Sequence, residues 1–230
     1  MPMSARDYTW MFTPGATFTE ESGTIGVIHV RDGGELSLPT GRVVACDPFV
    51  YLGEGDIEPF TATVEPGRYR VEAAVVTLTR PDQPASDRPH HRVAAARLVI
   101  RDEPTAIWEL ALLPGQDPDQ LGEDEFYGYG VDAGTGCFYD ASADGSFPEC
   151  VEDEGPLWDS FDDEDWAPGP HLVTSPSSGA TLAAFTSGWG DGCYPTWIGR
   201  TSAGDVTCFV TDFFVAPDPA DVAEGAEAAG

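Results

Sequence analysis

Lysine is absent from this 230-residue chain, and all 11 of its basic residues are arginine. Against them stand 40 aspartates and glutamates, which leaves a net charge of −29. Between Arg101 and Arg200 the only basic side chain is His171. Nucleic-acid binding depends on clustered Lys or Arg that neutralise phosphates, so that class is excluded. Attraction to an anionic membrane surface is disfavoured for the same reason. A basic protein partner stays open, because opposite fields speed encounter. Acidity of this kind also serves simply to keep a protein soluble.

Other absences narrow the field further. No apolar run approaches bilayer length. The opening MPMSARDYTWMF lacks the basic segment and apolar core of a secretion signal. The cysteines, Cys46, Cys137, Cys150, Cys193 and Cys208, are odd in number and contain no CxxC pair. A soluble cytoplasmic protein with reduced thiols is the expectation, most of those thiols acting as small buried apolar groups. Without Lys there is no phosphate loop, and Gly128-x-Gly130 is followed by its next glycine at Gly134, one residue late for a dinucleotide fingerprint. No segment repeats at a period of about 20 to 50 residues, which excludes solenoids and propellers.

What is present favours turns and short strands. Gly (26) and Pro (20) are abundant, and apolar residues make up 41% of the chain. Alternating apolar positions predict strands over 24–31, 35–39, 41–52 (broken at Asp47-Pro48), 60–80 on both sides of Pro66-Gly67, and 92–113 with a turn near Asp102 to Pro104. Asp32-Gly33-Gly34 reads as a turn between the first two. A second group of strands is predicted at 171–175, 180–187, 193–200 and 205–215, with Pro195 marking a bulge or an edge. The expected fold is mainly β: antiparallel meanders packed like a sandwich, with short acidic helical insertions over 141–166 pinned by Trp158, Phe161 and Trp166. The expected organisation is a loosely structured N-terminal arm (1–22), its aromatics Trp10, Phe12 and Phe18 docked on the body, and one β-rich domain (23–216) in two sub-halves, 23–113 and 126–216. A disordered acidic tail (217–230) follows.

Two stretches share a distinctive composition of glycine, aspartate and aromatics: Phe126–Asp140 (FYGYGVDAGTGCFYD) and Ser187–Trp197 (SGWGDGCYPTW). In the first, Asp132 and Asp140 flank AGTG, with Cys137 between them. Gly134 and Gly136 permit a turn with exposed amides, which can cradle an anion beside a carboxylate acting as base or ligand. The plainer reading is a tight turn with solvent-facing aspartates. In the second, Trp189, Tyr194 and Trp197 surround Asp191, an arrangement that suits a sugar, a base or a peptide side chain. Its plainer reading is an Asp-Gly hairpin with core aromatics. The candidate ligand-binding set is therefore Asp132, Cys137, Asp140, Trp189, Asp191, Tyr194 and Trp197.

Other chemistries fit poorly. Asp140-x-Ser142-x-Asp144-Gly145 opens like a calcium loop, but its twelfth position is Val151, and Glu152 falls one residue late. A nucleophilic Cys137 needs a histidine, and nothing in the sequence places His29, His90, His91 or His171 beside it. Zinc-ligand spacing is missing, and Ser175-Pro-Ser177-Ser178-Gly179 is not a nucleophile elbow. No metal site is nominated and no cofactor is named. Three functional readings remain. The first is a protein binding a small polar ligand or a partner where the two stretches converge. The second is a hydrolase using those carboxylates directly or through a metal. The third is an acidic immunity or antitoxin-type protein that covers a basic effector with its 141–166 surface.

With these residues in view, the chain resembles domain-of-unknown-function family 4241, a bacterial family. The resemblance rests on WELALLPGQD (108–117), the 126–140 stretch, FTSGWGDGCYPTWIGR (185–200) and VTCFVTDFF (206–214), with VVACDPF (43–49) and PGRYRV (66–71) in support. It spans about residues 40 to 216 and implies no catalytic residues.

Overall fold

Apolar side chains at alternate positions turn most of this chain into strands. The computed structural model describes residues 1–52, 57–80, 90–162 and 168–217. Trp166 and the tail beyond 217 fall outside these. The architecture is mainly antiparallel β with a curled half-barrel.

The first half of the chain contributes β1 (Thr17–Thr19), β2 (Ile25–Leu38), β3 (Val43–Cys46), β4 (Gly67–Thr79), β5 (His90–Val99) and β6 (Ile107–Leu110). The second half contributes β7 (Tyr129–Val131), β8 (Thr135–Asp140), β9 (His171–Thr174), β10 (Thr181–Thr186), β11 (Gly192–Tyr194), β12 (Thr196–Arg200) and β13 (Val206–Asp212). Three short helices accompany them: α1 (Pro48–Tyr51), α2 (Pro148–Val151) and α3 (Pro156–Phe161). None is long and apolar enough to cross a membrane.

The two halves of the chain interleave. The seven-stranded sheet runs β1-β2-β4-β5-β13-β12-β6, so β13 and β12 from the C-terminal half sit between β5 and β6. The four-stranded sheet runs β3-β8-β10-β9 and takes its edge strand from the N-terminal half. A two-stranded ladder, β11-β7, completes the set.

Every residue of β8 is buried, and its alternation explains why. Phe138 joins Ala183 and Phe185 of β10 in the core shared with the large sheet, beside Val75, Val93 and Phe213. Cys137 and Tyr139 face the other way, with Leu182 and Ala184, onto Phe147, Cys150 and Leu157 of the helical segment. The small sheet is thus the middle of three layers, and a strand covered on both faces reads as a continuous apolar run.

Several local expectations are corrected. Asp32-Gly33-Gly34 is not a turn between strands. β2 runs through it, and the pairing with β4 shifts between Asp32 and Glu35, a bulge. Gly34 supplies the left-handed backbone (φ 83°), and a side chain at Gly33 would come within 2.7 Å of Pro170. Such a bulge bends and twists its strand, which helps the sheet curl. The expected strand over 41–52 ends at Cys46. Asp47 then caps α1, its Oδ1 accepting from Phe49 N at 3.0 Å, with Pro48 at the first helical position. The strand expected before Pro66 is reduced to one isolated bridge, Arg42 to Thr63. Within the expected arm, residues 1–22, aromatic side chains pack on the body and short regular elements form. Tyr8, Met11, Phe12 and Phe18 are buried, Thr9–Phe12 form a 3-10 turn, and β1 pairs with β2.

Candidate ligand-binding surface

Small residues let the two glycine-rich stretches meet. β7 and β11 pair antiparallel, with Tyr129 opposite Tyr194, Gly130 opposite Cys193 and Val131 opposite Gly192. A Cβ on Gly128 would stand 2.5 Å from the Tyr194 carbonyl oxygen, so the close approach requires glycine there. The contact is renewed on the far side of the turn. Ser187 N donates to Gly134 O at 2.9 Å, and Thr135 pairs with Thr186. The β7–β11 ladder ends at Val131 and Gly192, and the residues that follow it on either side, Asp132 and Asp191, are both exposed.

A residue outside both stretches organises this turn. Asp47 is fully buried, and its Oδ2 accepts from Asp132 N at 3.0 Å and Ala133 N at 2.7 Å. Two amides at the start of the glycine turn are thus held by a carboxylate of the chain itself. In the sequence Asp47 looked like a strand breaker. Its position just before a proline that opens a helix was the available signal for a capping acid.

The seven candidate residues fall into two groups. Asp132, Asp191 and Trp189 are at the surface, and Trp189 is 55% exposed. The Arg92 guanidinium lies over the Trp189 ring at 5.3 Å, and the His90 ring meets it edge-on at 5.9 Å. Burial, then the positive charges of Arg92 and Arg80, lower the His90 pKa. Nothing in the sequence linked Trp189 to β5.

Cys137, Asp140, Tyr194 and Trp197 belong to the interior. Asp140 Oδ1 accepts from Ser142 N (2.9 Å), Ser142 Oγ (2.6 Å) and Thr40 Oγ1 (2.8 Å), and Oδ2 accepts from Thr40 N (3.0 Å). Burial pushes its carboxyl up, but these donors together outweigh it and hold the pKa below the ordinary 3.8. Asp140 is a structural cap. The Tyr194 hydroxyl donates to Gly190 O at 2.8 Å while its ring packs edge-on against Phe213. Burial, then the charge of Asp191, raises its pKa. Trp197 sits under Tyr8 and lines a cavity of about 550 Å³ with Trp108 and Leu110, on the large sheet. A second cavity, about 470 Å³, is lined by Tyr69, Arg101 and Arg200. Among the described residues no group of three or more His, Cys, Asp or Glu is placed to hold a metal ion.

A family model matches residues 36–211, most of the chain. The chain belongs to the family described as "Protein of unknown function (DUF4241)". Both glycine-rich stretches, the Asp47 clamp and the strands that carry them lie inside the part shared with DUF4241. No curated protein and no solved structure matches this DUF4241 chain.

Proposed function

We propose that this DUF4241 member is a binding protein whose docking surface is the rim formed by Asp132, Asp191 and Trp189, and that it receives a cationic group of a basic partner. The observation that carries the reading is that Asp132 and Asp191 are the next residues beyond the paired β7–β11 ladder, both exposed, with the exposed indole of Trp189 two residues before Asp191. Like charges at one ladder end repel, so a guanidinium or ammonium between them is favoured. Trp189 already accepts one guanidinium, that of Arg92, which supports its suitability for cations. The net charge of −29 would draw a basic partner in from a distance.

The test is calorimetric titration with an arginine-rich peptide. Asp132→Asn/Asp191→Asn should weaken binding by about tenfold. The control Glu20→Gln/Glu21→Gln, which removes the same charge elsewhere, should have little effect. Equal losses in both would reduce the interaction to the general field of the protein and end the proposal.

A further inference from the structure

Two cysteines that the candidate surface does not use face each other inside the small sheet. Cys46 on β3 is the direct cross-strand partner of Cys137 on β8. Their sulfurs are 3.7 Å apart, and both are free thiols with almost no exposure. Directly opposed residues in an antiparallel pair have Cα atoms about 4.5 to 5.5 Å apart. That lies within the roughly 4.4 to 6.8 Å a disulfide accepts, so a small side-chain rotation suffices to close the bond. The cross-strand pairing thus places two free thiols where a disulfide can form.

We infer that Cys46 and Cys137 form a reversible dithiol–disulfide site that takes a small disulfide as its oxidant. β3 is the edge strand of its sheet and β8 is interior, so Cys46 is the thiol that local opening releases. Deprotonated Cys46 attacks one sulfur of oxidised glutathione, forming a mixed disulfide and expelling a glutathione thiolate. Deprotonated Cys137 then attacks the Cys46 sulfur, forms the intramolecular bond and expels the second thiolate. The two protons from the cysteines end on the two glutathiones. The protein loses two electrons and glutathione disulfide gains them.

The closed pair is slow to react. The hydrogen bond to Cys137, then burial, raises the Cys46 pKa, so opening of the edge must come first. The consequence reaches the candidate surface through the next residue. Asp47 follows Cys46 and holds the Asp132–Ala133 amides. A bond at Cys46 ties β3 to β8 and fixes that clamp.

The full-length protein, incubated with oxidised glutathione at mildly alkaline pH, provides the test. Incubations run with and without urea below the unfolding midpoint, and remaining thiols are then blocked and peptides mapped without reduction. The expected result is a Cys46–Cys137 cross-linked peptide two hydrogens lighter than its parts, with two of the five thiols lost. The thermal midpoint should rise by several degrees and dithiothreitol should reverse the rise. Amide exchange at Asp132 and Ala133 should slow several-fold in the oxidised form. Cys193→Ser should keep the cross-link and Cys46→Ser should abolish it. Separately alkylated Cys46 and Cys137 in the wild-type protein under both conditions would overturn the inference. So would a cross-link that instead uses the exposed Cys193. Neither outcome depends on the cationic rim proposed above.

Discussion

At Glu149 one carboxylate gathers a local network. Its Oε1 accepts from Ser177 Oγ at 2.6 Å, Ser175 Oγ at 2.8 Å and Ser177 N at 3.0 Å. The Ser177 hydroxyl, followed by its own backbone and the Ser175 hydroxyl, lowers its pKa from 4.5 to about 2. A carboxyl depressed on folding adds stability that is present above the unfolded value and lost as pH falls through the folded one. Glu149 therefore contributes most above pH 4.5 and nothing below about 2. Carboxyl-carbon NMR should show its midpoint near 2, moving toward the ordinary value in Ser177→Ala. A midpoint unchanged by that substitution would mean the hydroxyl is not the cause. The same chemistry decides the fate of Asp140. Its residue type and glycine-rich setting suggested a site, but Thr40, which supplies two of its donors, is 100 positions away. No local pattern separates a carboxylate that waits for a ligand from one that caps its own backbone.

Among the elements, the turn between β7 and β8 depends on the end of β3. Asp47 accepts from three backbone amides, those of Phe49, Asp132 and Ala133. Asp47→Ala would leave the two turn amides and the helix cap without a partner. It should lower stability by about 1 to 3 kcal/mol, measured by denaturant unfolding, since the lost hydrogen bonds leave partly water-accessible donors without their buried acceptor. Amide exchange should accelerate first at Asp132 and Ala133, and unchanged protection there would show that the turn holds itself. Most strands were legible because a half-buried strand alternates and is bounded by Gly and Pro. Gly33-Gly34 was misread because glycine serves equally in a turn and in a bulge. Only the continuous pairing of β2 along β4 distinguishes the two. Pro195, expected as a bulge or edge within one strand over 193–200, instead separates β11 in the small ladder from β12 in the large sheet.

Across the whole molecule, a buried ion pair joins Arg6 to Asp212 on β13, 206 positions away. Arg6 Nη2 donates to Asp212 Oδ2 at 2.6 Å, and Arg6 Nη1 to Ala216 O at 2.7 Å. Asp212 is the last residue of β13, the strand that pairs with β5 of the N-terminal half. Burial raises the Asp212 pKa, and Arg6 pulls it back. Arg6→Met leaves an unpaired buried carboxylate and should cost about 3 to 5 kcal/mol. The sign of the pH dependence follows. A carboxyl raised on folding is relieved by protonation, so the variant's deficit should shrink as pH falls through the raised pKa. Unfolding curves of both proteins at several pH values check this, and a constant deficit would show that charge is not its origin.

Composition and pattern by themselves determined that this is an antiparallel β protein, because burial with period two and abundant turn residues leave few other architectures. They also marked the two glycine-rich stretches as partners. The tertiary structure decided which residues of those stretches face water. It left Asp132 and Asp191 exposed at the end of the β7–β11 ladder, withdrew Asp140, Tyr194 and Cys137 into the interior, and brought in Asp47, Arg92 and Cys46 from distant parts of the chain. Strand pairing between β3 and β8 joins residues 91 positions apart. Non-local partners of this kind are chosen by how whole faces bury against one another, a property no window of sequence contains.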